Sequence, residues 1–144
     1  MKRSLLIVGV ALALMAAWSI GRVQGQDEGK KVVFASPDQA KFTETNPGVS
    51  MAAIWGDAST GAHATYTKFK PGYDARMHTH TNDVWIVVIK GAYLYKDEAG
   101  ETRVGPGDFL RVPGGHKHWS GGDKKLGAVF YEEGSGKFDL IKVK

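Results

Sequence analysis

The 144-residue chain carries 19 Lys and Arg against 15 Asp and Glu, a formal charge of +4, and no cysteine. Lys2, Arg3 and Arg22 all precede Gln26, so without the first 25 residues the balance is 16 to 15 and the charge +1. That near-neutral remainder has no dense Lys/Arg run interleaved with aromatics, which argues against a nucleic-acid partner, and the lack of cysteine excludes both disulfides and a lipidated-cysteine anchor.

In chain order, the first element is a leader. Lys2 and Arg3 form a basic start, SLLIVGVALALMAAW is an apolar run, and Val23-Gln24-Gly25 places small residues ahead of Gln26. This is the pattern of a secretory signal peptide spanning 1–25 and cleaved after Gly25. The competing reading is a retained membrane anchor, since Ser4 to Ile20 approaches the shortest spanning length of ~17 residues. Cleavage predicts an exported protein, periplasmic or secreted, with no membrane contact afterwards.

The remaining ~119 residues suffice for one domain. Residues 26–48 are polar, contain Pro37 and Pro47, and read as an N-terminal arm that adds an edge strand at Val32 to Phe34. From 49 to 144, short apolar runs alternate with Gly, Pro and Asp turn signals. The expected strands are Val49 to Trp55, Ala62 to Phe69, Val84 to Ile89, Ala92 to Tyr95, Phe109 to Val112 and Gly127 to Tyr131, with KDEAGE as a hairpin loop and EEGSG as a closing turn. Strands at ~8–12-residue spacing with such turns indicate an all-β antiparallel sandwich or barrel. The run from Val84 to Ile89 is apolar on both faces. Trp85, Val87 and Ile89 therefore need cover from the arm or from a second subunit, and a homodimer is expected, which sedimentation of the mature protein would check.

The histidines are unevenly placed. His78 and His80 lie two apart in MHTHTNDVWIVV, so in a strand both imidazoles point to one face and can converge on one ion. His116 and His118 repeat the spacing in PGGHKHWSGG, beyond a predicted hairpin whose flanking segments run side by side. His63 stands apart and reads as a hydrogen-bonded strand histidine. Tyr93, Tyr95, Trp119 and Phe130 are either pocket lining or core.

These two segments resemble the paired motifs of the cupin family. The first motif is matched by Gly72, His78, His80 and Gly91, and the second by Gly107, Pro113, Gly115 and His118, with Gly122 where the family places an asparagine. The resemblance implies a single double-stranded β-helix, or jelly-roll, barrel in residues 49–144 holding one divalent transition metal (Fe, Mn, Ni, Cu or Zn). It also implies a departure, because the position of the family's metal-binding glutamate is held here by Val84. Strand parity points Asp83 away from the histidine face unless a bulge intervenes.

The ligand set expected from the resemblance is thus His78, His80 and His118. Asp83 and His116 are possible further ligands or outer partners, and Val84, Tyr93, Tyr95 and Trp119 line the pocket. Three-histidine cupin centres resemble those of thiol and diketone dioxygenases, so an oxygenase, isomerase or lyase acting on a small oxygenated or anionic molecule is one expectation. A non-catalytic module that binds a small molecule or metal is a second, and a purely structural barrel a third. Fold alone does not choose among them.

Overall fold

The computed structural model describes residues 31–143; the leader expected at 1–25 lies outside them. Among the described residues eleven strands form two antiparallel sheets, and no helix is long and apolar enough to cross a membrane. The strands are β1 (Thr43–Asn46), β2 (Val49–Gly56), β3 (His63–Phe69), β4 (Asp74–Thr79), β5 (Val84–Gly91), β6 (Tyr93–Asp97), β7 (Gly100–Val104), β8 (Phe109–Val112), β9 (His118–Gly122), β10 (Ala128–Gly134) and β11 (Ile141–Lys142). One sheet has the order β1-β2-β3-β10-β5-β8, the other β11-β4-β9-β6-β7. This is the jelly-roll arrangement, in which two antiparallel sheets enclose one interior.

Alternation sets what faces inward. On β5, Val84, Ile86 and Val88 are buried while Trp85, Val87 and Ile89 are half-buried on the outer side. On β10, Ala128, Phe130, Glu132 and Gly134 point inward. The core joins Val84, Ile86, Val88, Tyr93, Val104, Ala128 and Phe130, with Phe69, Tyr95 and Leu110 packed against it. Phe130 is wholly buried, edge-on to Phe69 at 4.9 Å and to Tyr93 at 5.1 Å between ring centroids. Removing such a side chain from water is worth roughly 2–3 kcal/mol.

Two sequence expectations are corrected. Residues Val32 to Phe34 form no strand, and Val32 and Phe34 are almost fully exposed. The edge strand is β1 instead, because Asn46-Pro47-Gly48-Val49 makes a tight turn: proline supplies its fixed φ and Gly48 takes φ +85, which pairs Asn46 with Val49. The second correction concerns EEGSG. Its two glutamates are not in a turn but continue β10, so Glu132 is carried to the inner face.

Backbone contacts at glycines join the two halves of the site. Gly91 has φ +73, and a Cβ there would collide with the Gly127 carbonyl. At Gly114 a Cβ would meet the Thr81 carbonyl at 2.5 Å. Glycine at 114 lets the turn after β8 close onto the end of β4, where Gly115 N–H donates to the His80 carbonyl at 2.7 Å.

Candidate metal centre

His78 and His118 are directly opposed across the β4–β9 pair. Inward-facing positions recur every second residue, so His80 joins the same face just beyond the end of β4. All three side chains are buried, and their ring centroids lie 4.2 Å (His78–His118), 4.9 Å (His78–His80) and 5.3 Å (His80–His118) apart. One ring nitrogen from each falls within 4.8 Å of the other two.

The remaining ring nitrogens fix the tautomers. Nδ1–H of His78 donates to the Arg76 carbonyl (2.8 Å), that of His80 to the Asp139 carbonyl (2.5 Å), and that of His118 to the His116 carbonyl (3.0 Å). A carbonyl only accepts, so Nδ1 carries the proton in each ring and Nε2 keeps its lone pair for the interior. Buried Nε2 of His118 has no hydrogen-bond partner. Burial, as the largest influence, pushes all three imidazoles down, His118 to about 4, so they are neutral at ordinary pH. Three neutral nitrogens with outward N–H groups anchored to carbonyls are the donor set a divalent transition metal requires.

One of those anchors comes from strained backbone and another from a segment distant in sequence. Arg76 is the one non-glycine described residue with positive φ (+65), beside a bulge between Asp74 and Met77, and its carbonyl is the one that orients His78. A left-handed φ at a residue with a Cβ is strained, and such strain collects where function requires it. The other anchor is the C-terminal segment. Asp139 accepts from Thr81 N–H (2.8 Å) and from Thr81 Oγ1 (2.5 Å), which holds its carbonyl against His80. Phe138 from the same segment packs its ring against His80 at 5.3 Å and edge-on to His63 at 6.2 Å.

The profile of the ChrR cupin-like domain matches residues 30–135, about three quarters of the chain. The chain belongs to the ChrR cupin-like family. A search of curated proteins returned no match. Among solved structures, the polyketide cyclase RemF from Streptomyces resistomycificus aligns with TM-score 0.65 and 17% identity, over 79% of this chain and 87% of that one. KdgF from Halomonas sp. aligns at 0.58 and 21%, over 71% and 94%. A sugar phosphate isomerase of the cupin superfamily from Silicibacter pomeroyi aligns at 0.53 and 21%, over 71% and 74%. At these identities the likeness is one of fold.

Within this cupin the other sequence-flagged residues are placed as follows. Val84 is buried in the core and borders a small cleft with His63, His80 and Phe138. Asp83 stands away from the histidines. Its carboxylate accepts from Gly114 N–H (2.9 Å) and from Arg111 (Nη2 at 2.6 Å), and these contacts, the Gly114 bond foremost, hold it below the usual carboxylate range. No bulge turns it inward; it clamps the second motif to the first. His116 is exposed and bonded through Nε2 to Asp97 at 3.0 Å; it reaches the site through its carbonyl, which accepts from His118, and through its ring, which stacks near His118 at 6.5 Å.

Tyr95 stacks on His118 at 5.5 Å and donates to Asp97 at 2.9 Å; burial and that carboxylate push its phenol up to about 12. Tyr93 is buried in the core and lines the interior cavity. Trp119 is not in the interior. It neighbours inward-facing His118, so alternation turns it to the outer sheet face, where it donates to Asp74 at 2.7 Å. His63 is half satisfied: Nδ1–H donates to the Gly61 carbonyl at 2.9 Å, whereas buried Nε2 has no partner.

Three contributors were missed from sequence: Phe138, Asp139 and Glu132. Next to the histidines lies a cavity of ≈ 80 Å³, room for a few waters or a small ligand, lined in part by Met51, His78, His80, Tyr93, Ser120 and Glu132. Glu132 is 7% exposed, its Oε1 is buried without a partner, and burial alone raises its carboxyl to about 7. The usable signal was parity: Ala128, Phe130 and Glu132 are two apart, so an inward Phe130 implies an inward Glu132 once β10 continues that far.

Proposed function

We propose that this cupin is a metal-dependent enzyme in which His78, His80 and His118 hold one divalent transition metal, from among Fe, Mn, Ni, Cu and Zn, and act on a small oxygenated or anionic molecule. The observation that carries the reading is the tautomer set: three Nε2 lone pairs turned inward with every Nδ1–H anchored to a backbone carbonyl. When bound, the ion supplies Lewis acidity toward a substrate oxygen, or redox chemistry if it is iron or copper. The chain's own residues do the rest. Carbonyls of Arg76, Asp139 and His116 aim the ligand rings, Phe138 and Tyr95 pack against them, and Tyr93, Ser120 and Glu132 present polar atoms to the cavity.

Three protein donors are one fewer than a closed structural zinc site uses, which leaves room for a substrate. Solved relatives of the same fold include proteins named a polyketide cyclase and a sugar phosphate isomerase, names that point to small oxygenated substrates. Metal content by mass spectrometry on protein purified without chelators or affinity tags tests the site. Near-stoichiometric transition metal is expected, lost in a His78→Ala/His80→Ala variant; wild-type protein that takes up none on titration sinks the reading. Recovery of a bound organic molecule chemically unchanged from metal-loaded protein, in place of turnover, would make the chain a binding module instead.

The leader supports an exported setting for this chemistry. N-terminal sequencing of protein from the producing cell is expected to begin at Gln26, and an intact Met1 would contradict it.

A further inference from the structure

A divalent ion among three neutral, buried imidazoles carries its full charge into a region shielded from water, where an uncompensated charge is costly. Neither the residue at the expected family position nor the acid beside it offsets that charge. Position 84 is a valine packed in the core, and Asp83 is bound to Arg111 and Gly114. Among the described residues Glu132 is the only buried carboxyl group.

Register explains how it reaches the site. On β10, Gly134 pairs with Val84 and Glu132 with Ile86, so Glu132 is the diagonal neighbour of position 84 on the same inner face. Diagonal neighbours lie ~7–8 Å apart between backbones, within reach of a long side chain. Glu132 borders the cavity that His78 and His80 also border, and its Oε1 has no partner in the protein. Its oxygens do not join the three nitrogens within 4.8 Å, so the carboxylate acts across the cavity and not as one of that cluster.

We propose that Glu132 is the acid of this metal centre: its carboxylate, delivered from β10 in place of the residue at position 84, balances the charge of a divalent ion held by His78, His80 and His118. The inference rests on the metal-site reading above. It gives an unpartnered buried acid a partner, and it accounts for an apolar residue at 84, since a second carboxylate there would repel the first.

Zinc and cobalt(II) affinities measured by chelator competition at pH 7.5 test it in wild-type, Glu132→Gln and Glu133→Gln proteins. Glu133 is on the same strand but faces outward, bonded to Tyr131, so its variant controls for charge alone. Glu132→Gln is expected to bind 10- to 100-fold more weakly at unchanged stoichiometry, and Glu133→Gln as the wild type does. Wild-type protein that binds zinc, with Glu132→Gln within twofold of it, overturns this inference and leaves the three-histidine site standing. Wild-type protein that binds neither ion overturns both. If Glu132→Gln does not fold, a crystal structure of zinc-loaded wild type decides: the carboxylate turned to the ion, directly or through one water, is expected, and a carboxylate bonded elsewhere refutes the assignment.

Discussion

Saturating zinc is expected to raise the melting temperature of the wild-type protein by about 15 °C and that of His118→Ala by only a few degrees. A ligand at 1,000 times its dissociation constant that binds only the folded chain adds about 4 kcal/mol, and for a domain near this size each kcal/mol is worth about 4 °C. His118 sits opposite His78 in the β4–β9 register, so its loss removes one of the two strands that hold the ion. Metal-free His118→Ala is itself destabilised, because the buried ring bonds the His116 carbonyl and packs on Tyr95, so the zinc-induced shift within each protein, and not the absolute melting temperature, carries the comparison. Thermal scans with and without zinc read the effect, and an equal shift in both proteins would show that the ion binds elsewhere.

Metal-free Glu132→Gln is expected to match the wild type near pH 4 and to exceed it in stability by about 3 kcal/mol at pH 8. The folded carboxyl titrates at about 7 against an ordinary value of 4.5, raised by burial. Below 4.5 the acid is neutral in folded and unfolded chains alike and costs nothing. As pH rises from 4.5 to 7 the unfolded chain ionises first, so stability is withdrawn across that window and the loss is complete above it. At 1.36 kcal/mol per pH unit the gap amounts to about 3 kcal/mol. Glutamine has nothing to titrate.

The histidines work in the opposite direction. Their folded values are depressed, so their contribution is complete above 6.5 and lost as pH falls toward about 4 for His118. In Glu132→Gln that acid-side loss should stand alone and appear steeper. Urea midpoints across pH 4–8 check both statements, and a constant difference between the two proteins at every pH would sink the burial argument. The same substitution is expected to stabilise the empty protein and weaken its hold on metal, the usual exchange at a site built around an unfavourable group.

Much of the site was legible because its signals are local. HxH spacing on a strand converges two rings whatever the rest of the chain does, and a Pro-Gly-Gly turn ahead of His118 calls for glycine conformations that the structure uses, with Gly115 at φ +77. What was misread depended on where a strand ends or on what another strand does. Glu132 was hidden because EEGSG has the composition of a turn, yet β3 and β5 pair with β10 on both sides and extend it through Gly134. Aromatic character alone does not place Trp119: alternation from His118 turns it to the outer sheet face, where it lines a cleft with Met77 and Leu94.

By itself the amino-acid sequence determined the all-β class, most turn positions and the convergence of His78 and His80, since each follows from side-chain alternation or turn stereochemistry within a few residues; the resemblance to the cupin motifs added His118. Only the tertiary structure decided which carbonyls aim those rings, that Asp83 is bound to Arg111 and Gly114, and that a glutamate 48 residues beyond position 84 stands diagonal to it. Those outcomes are set by register between distant strands, and register is settled by burying whole faces at once, which no local stretch of chain encodes.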